Sequence, residues 1–163
     1  MLYILRYLFS RCRRKLKKLK NLLLQVKNII ITWLFLAPQL EDWGELSTNK
    51  TIALTKYFSK HYATNSKQGY ISGYSGGGET LSLVLTKSPE LYCRALMCSS
   101  KWDGYFNKVV ENKTPIYFVI GEDDEYYGSS PFKEVYQELV NFYKKQGLSD
   151  EENENYVDLD SKK

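Results

Sequence analysis

Runs of apolar residues separated by polar turns are the main feature of the chain from residue 29 onward. The first run, Ile-Ile-Ile-Thr-Trp-Leu-Phe-Leu, is rich in β-branched and aromatic residues and ends before a proline, as buried strands do. Runs of this kind predict five strands, at residues 29–36, 70–72, 95–99, 115–120 and 156–159. Most of these runs are almost uniformly apolar, which is typical of parallel strands buried on both faces.

Apolar residues recur at helical spacing in most of the segments between these strands. This spacing predicts helices at residues 50–61, 77–86 and 130–145. The last helix opens at Ser130-Pro131, a capping residue followed by a proline, and stops at Gly147, a typical left-handed terminator. Strands that alternate with helices predict an α/β domain over residues 29–163, with a mostly parallel sheet and helices on both faces.

The first 28 residues form a separate segment with a different composition. Residues 1–40 hold nine Lys or Arg and no acid, whereas the remainder holds 14 basic and 19 acidic residues. The positive charge therefore belongs to this segment and not to the body of the protein. Apolar residues fall at helical spacing among the basic ones, which predicts a basic amphipathic helical arm: Leu16, Leu19, Leu23, Val26 and Ile30.

Two interpretations of this arm stay open. It packs as a solvated helix on nearby apolar surface, or it makes peripheral contact with an anionic membrane surface. Nucleic-acid binding is not expected, because no stacking aromatic residue interleaves the basic cluster between Arg11 and Lys27. The apolar segment 22–37 is interrupted and too short to span a bilayer, and the N-terminus lacks the order of a signal peptide, so a cytoplasmic location is expected.

A Gly-x-Ser-x-Gly sequence lies between a predicted strand and a predicted helix, at residues 73–77. In this context the motif predicts a nucleophile elbow, with Ser75 exposed on a strained turn. Gly73 and Gly77 are needed because side chains at those positions would collide, and the Gly76 N–H can face a developing oxyanion. The alternative is a glycine-rich turn that packs tightly or cradles a phosphate. The three cysteines have no metal-type spacing, and neither a metal nor a cofactor is expected.

Four segments together resemble the α/β-hydrolase superfamily, in particular bacterial prolyl-oligopeptidase-like or esterase-like serine hydrolases. They are PQLEDWG at 38–44, GYSGGGET at 73–80, SSKWDG at 99–104 and GEDDEYYG at 121–128. The resemblance extends over residues 36–160 and implies most of the C-terminal half of that fold. It also implies a serine nucleophile acting on small esters or peptides through an acyl-enzyme.

The resemblance places the acid of the catalytic triad in the loop after the strand at 115–120. Asp124 is the preferred candidate, with Asp123 and Glu125 as alternatives, and its role would be to orient an imidazolium. The other interpretation is that this acidic loop is only solvated. Three aromatic residues are expected either to line an open cleft or to belong to the core: Trp102, Tyr126 and Tyr127.

The triad histidine should follow the last strand, yet the only histidine of the sequence is His61, upstream of the motif. The expectation is therefore a truncated serine hydrolase with negligible activity. The alternatives are a non-catalytic binding domain whose arm attaches to a membrane or partner, and a hydrolase completed by a second chain. The strand next to the elbow strand is expected to be missing, so that uncovered apolar sheet surface would favour self-association.

Overall fold

The computed structural model describes residues 2–5, 34–62, 64 and 68–162, and for residues 2–5 it describes the backbone alone. The strands are β1 (Leu2–Leu5), β2 (Leu34–Leu36), β3 (Gly69–Tyr74), β4 (Arg94–Cys98), β5 (Ile116–Gly121) and β6 (Val157–Lys162). The helices are α1 (Glu45–His61), α2 (Gly76–Lys87), α3 (Asn107–Asn112), α4 (Ser130–Lys145) and α5 (Asp150–Glu154), with a 3₁₀ turn at Pro89–Leu91.

The six strands form one sheet in the order β2-β1-β3-β4-β5-β6, and every neighbouring pair is parallel. Consecutive strands from β3 to β6 are each joined by a connection that contains a helix, as parallel pairing requires. The predicted α/β architecture with a mostly parallel sheet is confirmed. The carboxyl ends of β3, β4 and β5 consequently meet at one edge, where ligands bind in open α/β sheets.

The position of β1 corrects the interpretation of the N-terminal segment. Leu2–Leu5 is not part of an arm, because its backbone pairs with β2 on one side and with β3 on the other. The apolar run Leu-Tyr-Ile-Leu suits a central parallel strand, and it is the strand beside β3 that was expected to be missing. The rest of the predicted arm, with its proposed membrane contact, and residues 29–33 of the first predicted strand lie outside the described residues.

The core lies on one face of the sheet. Met97 of β4 and Phe118 of β5 are fully buried there, and helices pack over them with residues such as Val84 of α2 and Phe132 of α4. The residues that alternate with them project from the opposite face, where Leu96 remains 37% exposed. Ser72, Leu96, Tyr117 and Asp158 stand side by side in register across this second face.

Most element boundaries agree with the sequence pattern to within about two residues, which is the usual uncertainty of helix ends. α4 has the predicted bounds, and Gly147 behind it adopts a left-handed φ of 88°. The largest difference is α1, which begins at Glu45 and not at residue 50. Its first turn is stabilised by Asp42, whose carboxylate accepts hydrogen bonds from the N–H groups of Ser47 at 3.0 Å and Gly44 at 3.2 Å.

Candidate active site

Ser75 occupies the turn between β3 and α2, with φ 54° and ψ −134°. A positive φ is uncommon for a residue with a side chain and costs free energy, so surrounding contacts must hold it. Its N–H donates to the carbonyl oxygens of Cys98 and Ser99, each at 3.1 Å. Its own carbonyl oxygen accepts from the Ser100 hydroxyl at 2.7 Å. The end of β4 thus fixes the backbone of Ser75 on both sides.

The glycines around Ser75 allow the sharp reversal of the chain. A Cβ atom on Gly73 would lie 2.6 Å from the carbonyl carbon of Gly77 and 2.8 Å from the nitrogen of Gly78. Backbone atoms cannot move aside as a flexible side chain can, so no larger residue fits at Gly73 without distortion. The close approach of positions 73 and 77 is the one expected from the motif.

Gly76 begins α2, so its N–H has no acceptor within the helix and is available at the N-terminal end of the helix dipole. This is the position predicted for an oxyanion donor. The indole of Trp43 packs directly over it: a Cβ atom on Gly76 would lie 2.5 Å from the indole Cδ2. Trp43 is 47% exposed and therefore forms one wall beside Ser75.

Asp124 lies in the loop after β5, at the same edge of the sheet as Ser75. One carboxylate oxygen accepts hydrogen bonds from the N–H groups of Tyr127 at 2.8 Å and Tyr126 at 3.0 Å. The carboxylate is therefore held by the backbone of its own loop.

These contacts change the acidity of Asp124. Burial acts to raise its pKa, but the hydrogen bonds from the two backbone N–H groups and from Ser99 outweigh burial and lower the pKa. The group is consequently an anion at neutral pH, as a triad acid must be. Asp123 and Glu125, the alternatives from the sequence, are both exposed.

Tyr127 bonds to a buried acid on α2. Its hydroxyl donates to Oε1 of Glu79 at 2.6 Å. Burial is the main cause that raises the pKa of Tyr127 to about 12, and the hydrogen bond to Glu79 acts in the same direction, whereas Ser75 acts in the opposite direction. Tyr127 is therefore a neutral phenol at neutral pH.

Glu79 belongs to the first turn of α2 and is 7% exposed. Its second oxygen lies 3.8 Å from the ammonium group of Lys101, which also pairs with Asp103 at 3.1 Å. The hydrogen bond to Asp103 is the main cause that raises the pKa of Lys101, so the lysine stays charged. A buried carboxylate is stable only with partners of this kind, and Glu79 has a phenol and a cation.

His61 lies far from this site. α1 begins next to the elbow, where the carbonyl oxygen of Trp43 accepts from the hydroxyl of Thr80 at 3.1 Å. His61 is the last residue of α1, which at 17 residues is about 25 Å long. Its ring stacks on Tyr57 and its Nδ1 contacts the carbonyl oxygen of Tyr57 at 2.8 Å. It is an exposed helix-end histidine.

The sequence did not decide whether three aromatic residues line a cleft or belong to the core, and the structure gives them different surroundings. Trp102 is partly buried and packs against the rings of Phe106 and Phe118 of the core. Tyr126 is 76% exposed, and the Tyr127 hydroxyl donates to the buried Glu79. Within the described ranges, no group of His, Cys, Asp or Glu is arranged to hold a metal ion.

Sequence reasoning missed the role of Glu79. The residue was part of the GYSGGGET segment, yet a first-turn glutamate usually serves only the helix dipole. Its burial depends on Tyr127, which is 48 positions away in the chain. The available signal was an acid directly after a glycine cluster, in a helix whose only other charged residue is Lys87.

One solved structure similar to this chain is that of a thermostable esterase. The two superpose with a TM-score of 0.61 at 18% sequence identity, over 82% of this chain. This chain therefore shares the α/β fold of the matched part of the esterase. The match covers 36% of the esterase, so this chain spans about a third of its length. No protein-family model and no curated protein matches the sequence.

None of the helices that the structure describes is both long enough and apolar enough to cross a membrane.

Proposed function

We propose that this chain carries the nucleophile and the acid of a serine-hydrolase site that acts on carboxylic esters or peptide bonds. The observation that carries the proposal is the strained backbone of Ser75, at φ 54° on a turn into a helix. Strain of this kind persists where the surroundings over-determine it, and it is common at functional sites. The sequence resemblance supports a bacterial prolyl-oligopeptidase-like or esterase-like subgroup.

In this proposal Ser75 attacks the carbonyl carbon of the substrate and forms an acyl-enzyme. The Gly76 N–H faces the oxyanion, at a helix N-terminus where negative charge is stabilised. Asp124 supplies the carboxylate that orients a protonated base. Trp43 forms a wall for an acyl group of modest size, because its indole covers Gly76.

The proposal includes very slow turnover by these 163 residues alone, because the single histidine lies at the far end of α1. Loss of the histidine from a working serine triad costs on the order of 10⁶ in turnover. The supporting observation is that the partners of Ser75 and Asp124 named above are serines, tyrosines and backbone groups.

A fluorophosphonate probe with added imidazole tests the proposal. We expect a single covalent adduct on the peptide that contains Ser75, formed faster with imidazole because imidazole replaces the missing base. Intact-mass and peptide mass spectrometry measure it. Ser75→Ala should form no adduct, whereas Ser130→Ala, at the exposed first position of α4, should react like the wild type.

Two outcomes would reject the proposal. An equal adduct on Ser75→Ala would show that the probe reacts elsewhere. No adduct on Ser75 with or without imidazole would favour the second candidate, a binding domain that keeps the fold without catalysis. The position of the single histidine, at the far end of α1, favours that candidate, because it leaves Ser75 without an imidazole base.

A further inference from the structure

Asp124 and Ser75 belong to different elements, so their relative position depends on a contact between those elements. The Asp124 carboxylate accepts from the N–H groups of Tyr126 and Tyr127, which belong to its own loop. Ser75 lies immediately before α2. Hydrogen bonds inside the loop therefore fix the shape of the loop but not its place beside α2.

A hydrogen bond between Tyr127 and Glu79 joins the loop to α2. The Tyr127 hydroxyl donates to Oε1 of Glu79 at 2.6 Å, a length typical of charge-assisted bonds between a hydroxyl and a carboxylate. The backbone N–H of the same tyrosine donates to Oδ1 of Asp124 at 2.8 Å. Tyr127 thus holds Glu79 with its side chain and Asp124 with its backbone.

The first turn of α2 is a firm base for this bond. Glu79 lies four positions after Ser75, and the Gly78 N–H between them donates to the carbonyl oxygen of Ser75 at 2.7 Å. Gly78 also packs closely on Ser100, because a Cβ atom on the glycine would lie 2.5 Å from the serine Oγ. The Ser100 hydroxyl in turn donates to the carbonyl oxygen of Ser75 at 2.7 Å. A group bonded to Glu79 is consequently fixed relative to Ser75.

Stability of the fold does not by itself account for a buried acid at this position. Glu79 is 7% exposed, and its second oxygen lies 3.8 Å from Nζ of Lys101, whose side chain is 51% exposed. Apolar side chains of similar volume in place of buried charged groups are often as stabilising or more so. A carboxylate adds direction instead, because its oxygen holds the Tyr127 hydroxyl at one point.

We propose that Glu79 is a positioning residue that places Asp124 beside Ser75, acting through Tyr127. This inference rests on the proposed function, since the place of Asp124 matters only if its carboxylate orients a protonated base next to Ser75. Glu79 takes no part in proton transfer. Without its bond to Tyr127 the acidic loop shifts relative to α2, and the orientation of the base is lost.

The imidazole-supported rate of fluorophosphonate adduct formation on Ser75 tests this role. Glu79→Met and Tyr127→Phe each remove the bond, and we expect each to lower the rate about 10-fold, less than the roughly 10²-fold that a misplacement of about 1 Å can cost. Glu79→Gln keeps an oxygen that accepts from Tyr127. A neutral bond is roughly half as strong as a charge-assisted one, so the rate of Glu79→Gln should stay within about 3-fold of the wild-type rate.

Two further readouts separate positioning from a contribution to stability. The double variant that combines Glu79→Met with Tyr127→Phe replaces both partners by apolar groups, so its thermal midpoint should be close to that of the wild type while its rate stays about 10-fold lower. In an Asp124→Asn background, Glu79→Met should cause no further loss of rate, because its effect runs through Asp124. Tyr105→Phe and Glu111→Met change exposed residues away from the site and should keep the wild-type rate.

The double variant and the Asp124→Asn background decide the inference. A wild-type rate in the double variant would overturn it, and so would an equal loss from Glu79→Met with and without the Asp124 carboxylate. Both results leave the adduct on Ser75 and the proposed function intact. No adduct on Ser75, with or without imidazole, would reject the proposed function and this inference together.

Discussion

The backbone of Ser75 and its glycine neighbours shows how single residues determine the site. Ser75 holds a positive φ, and the chain can pass from β3 into α2 only because Gly73 has no side chain. Sequence spacing alone predicted these glycines, since the collision between positions 73 and 77 is local. The hydrogen bond from the Ser100 hydroxyl to the carbonyl oxygen of Ser75 was not predictable from sequence spacing.

Gly73→Ala should destabilise the protein. Its Cβ atom would press on the backbone of Gly77 and Gly78, and overpacking of this kind costs about 1–3 kcal/mol. Urea unfolding followed by circular dichroism measures the difference. Gly44→Ala is the control, because its nearest neighbour would be 3.9 Å away, and it should change the free energy of unfolding by less than about 0.5 kcal/mol. Equal stability of the two variants would contradict the close packing at Gly73.

The loop between β5 and α4 is the element that assembles the rest of the site. Asp124 closes this loop with bonds from the N–H groups of Tyr126 and Tyr127, and the loop then places the Tyr127 hydroxyl against Glu79 of α2. The strand before the loop and the helix after it followed from periodicity, and the bounds of α4 were correct. The path of the loop was not predictable, because side chain-to-backbone bonds direct it and not a repeating pattern.

Asp124→Asn should lower stability in a pH-dependent way. The pKa of Asp124 is lowered on folding, so the carboxylate stabilises the fold above its unfolded pKa of about 4, and this contribution disappears as pH falls through the folded value. At pH 7 we expect a loss of about 0.5–1 kcal/mol, near the low end for a hydrogen bond because the group is partly open to water.

Urea midpoints of the wild type and of Asp124→Asn at pH 7 and near pH 3 provide the measurement. The difference between the two proteins should be smaller at the acidic pH. Asp123→Asn, the exposed neighbour, should show little difference at pH 7. An equal difference in urea midpoint at both pH values would mean that the charge of Asp124 contributes nothing to the stability of the fold.

At the scale of the whole molecule, β1 completes the sheet. It pairs with β2 and β3 through Leu2–Leu5, although 28 residues separate it from β2 in the chain. Its carboxyl end, at Leu5, lies in register with Ser72 of the strand that leads to Ser75. The site is therefore built on a sheet that continues on both sides of β3.

Ile4→Pro tests the place of β1. A proline in a strand paired on both sides removes a ladder hydrogen bond and should cost about 3 kcal/mol or more, whereas in a solvated arm it would be harmless. Asp150→Pro is the control, because Asp150 is the first residue of α5, a position that tolerates proline. Urea unfolding compares the variants. If Ile4→Pro were as stable as the wild type, the placement of β1 in the sheet would be contradicted.

The sequence by itself determined many local features: the strands β2 to β6, the helices α1, α2 and α4, where glycine must stand around Ser75, and the α/β class of the fold. These follow from periodicity and from steric limits within a few residues. Only the tertiary structure decided that Leu2–Leu5 is a strand between β2 and β3 and that Glu79 and Tyr127 meet. Pairing and side-chain contacts over dozens of residues depend on how packed elements share space, and no local pattern specifies that arrangement.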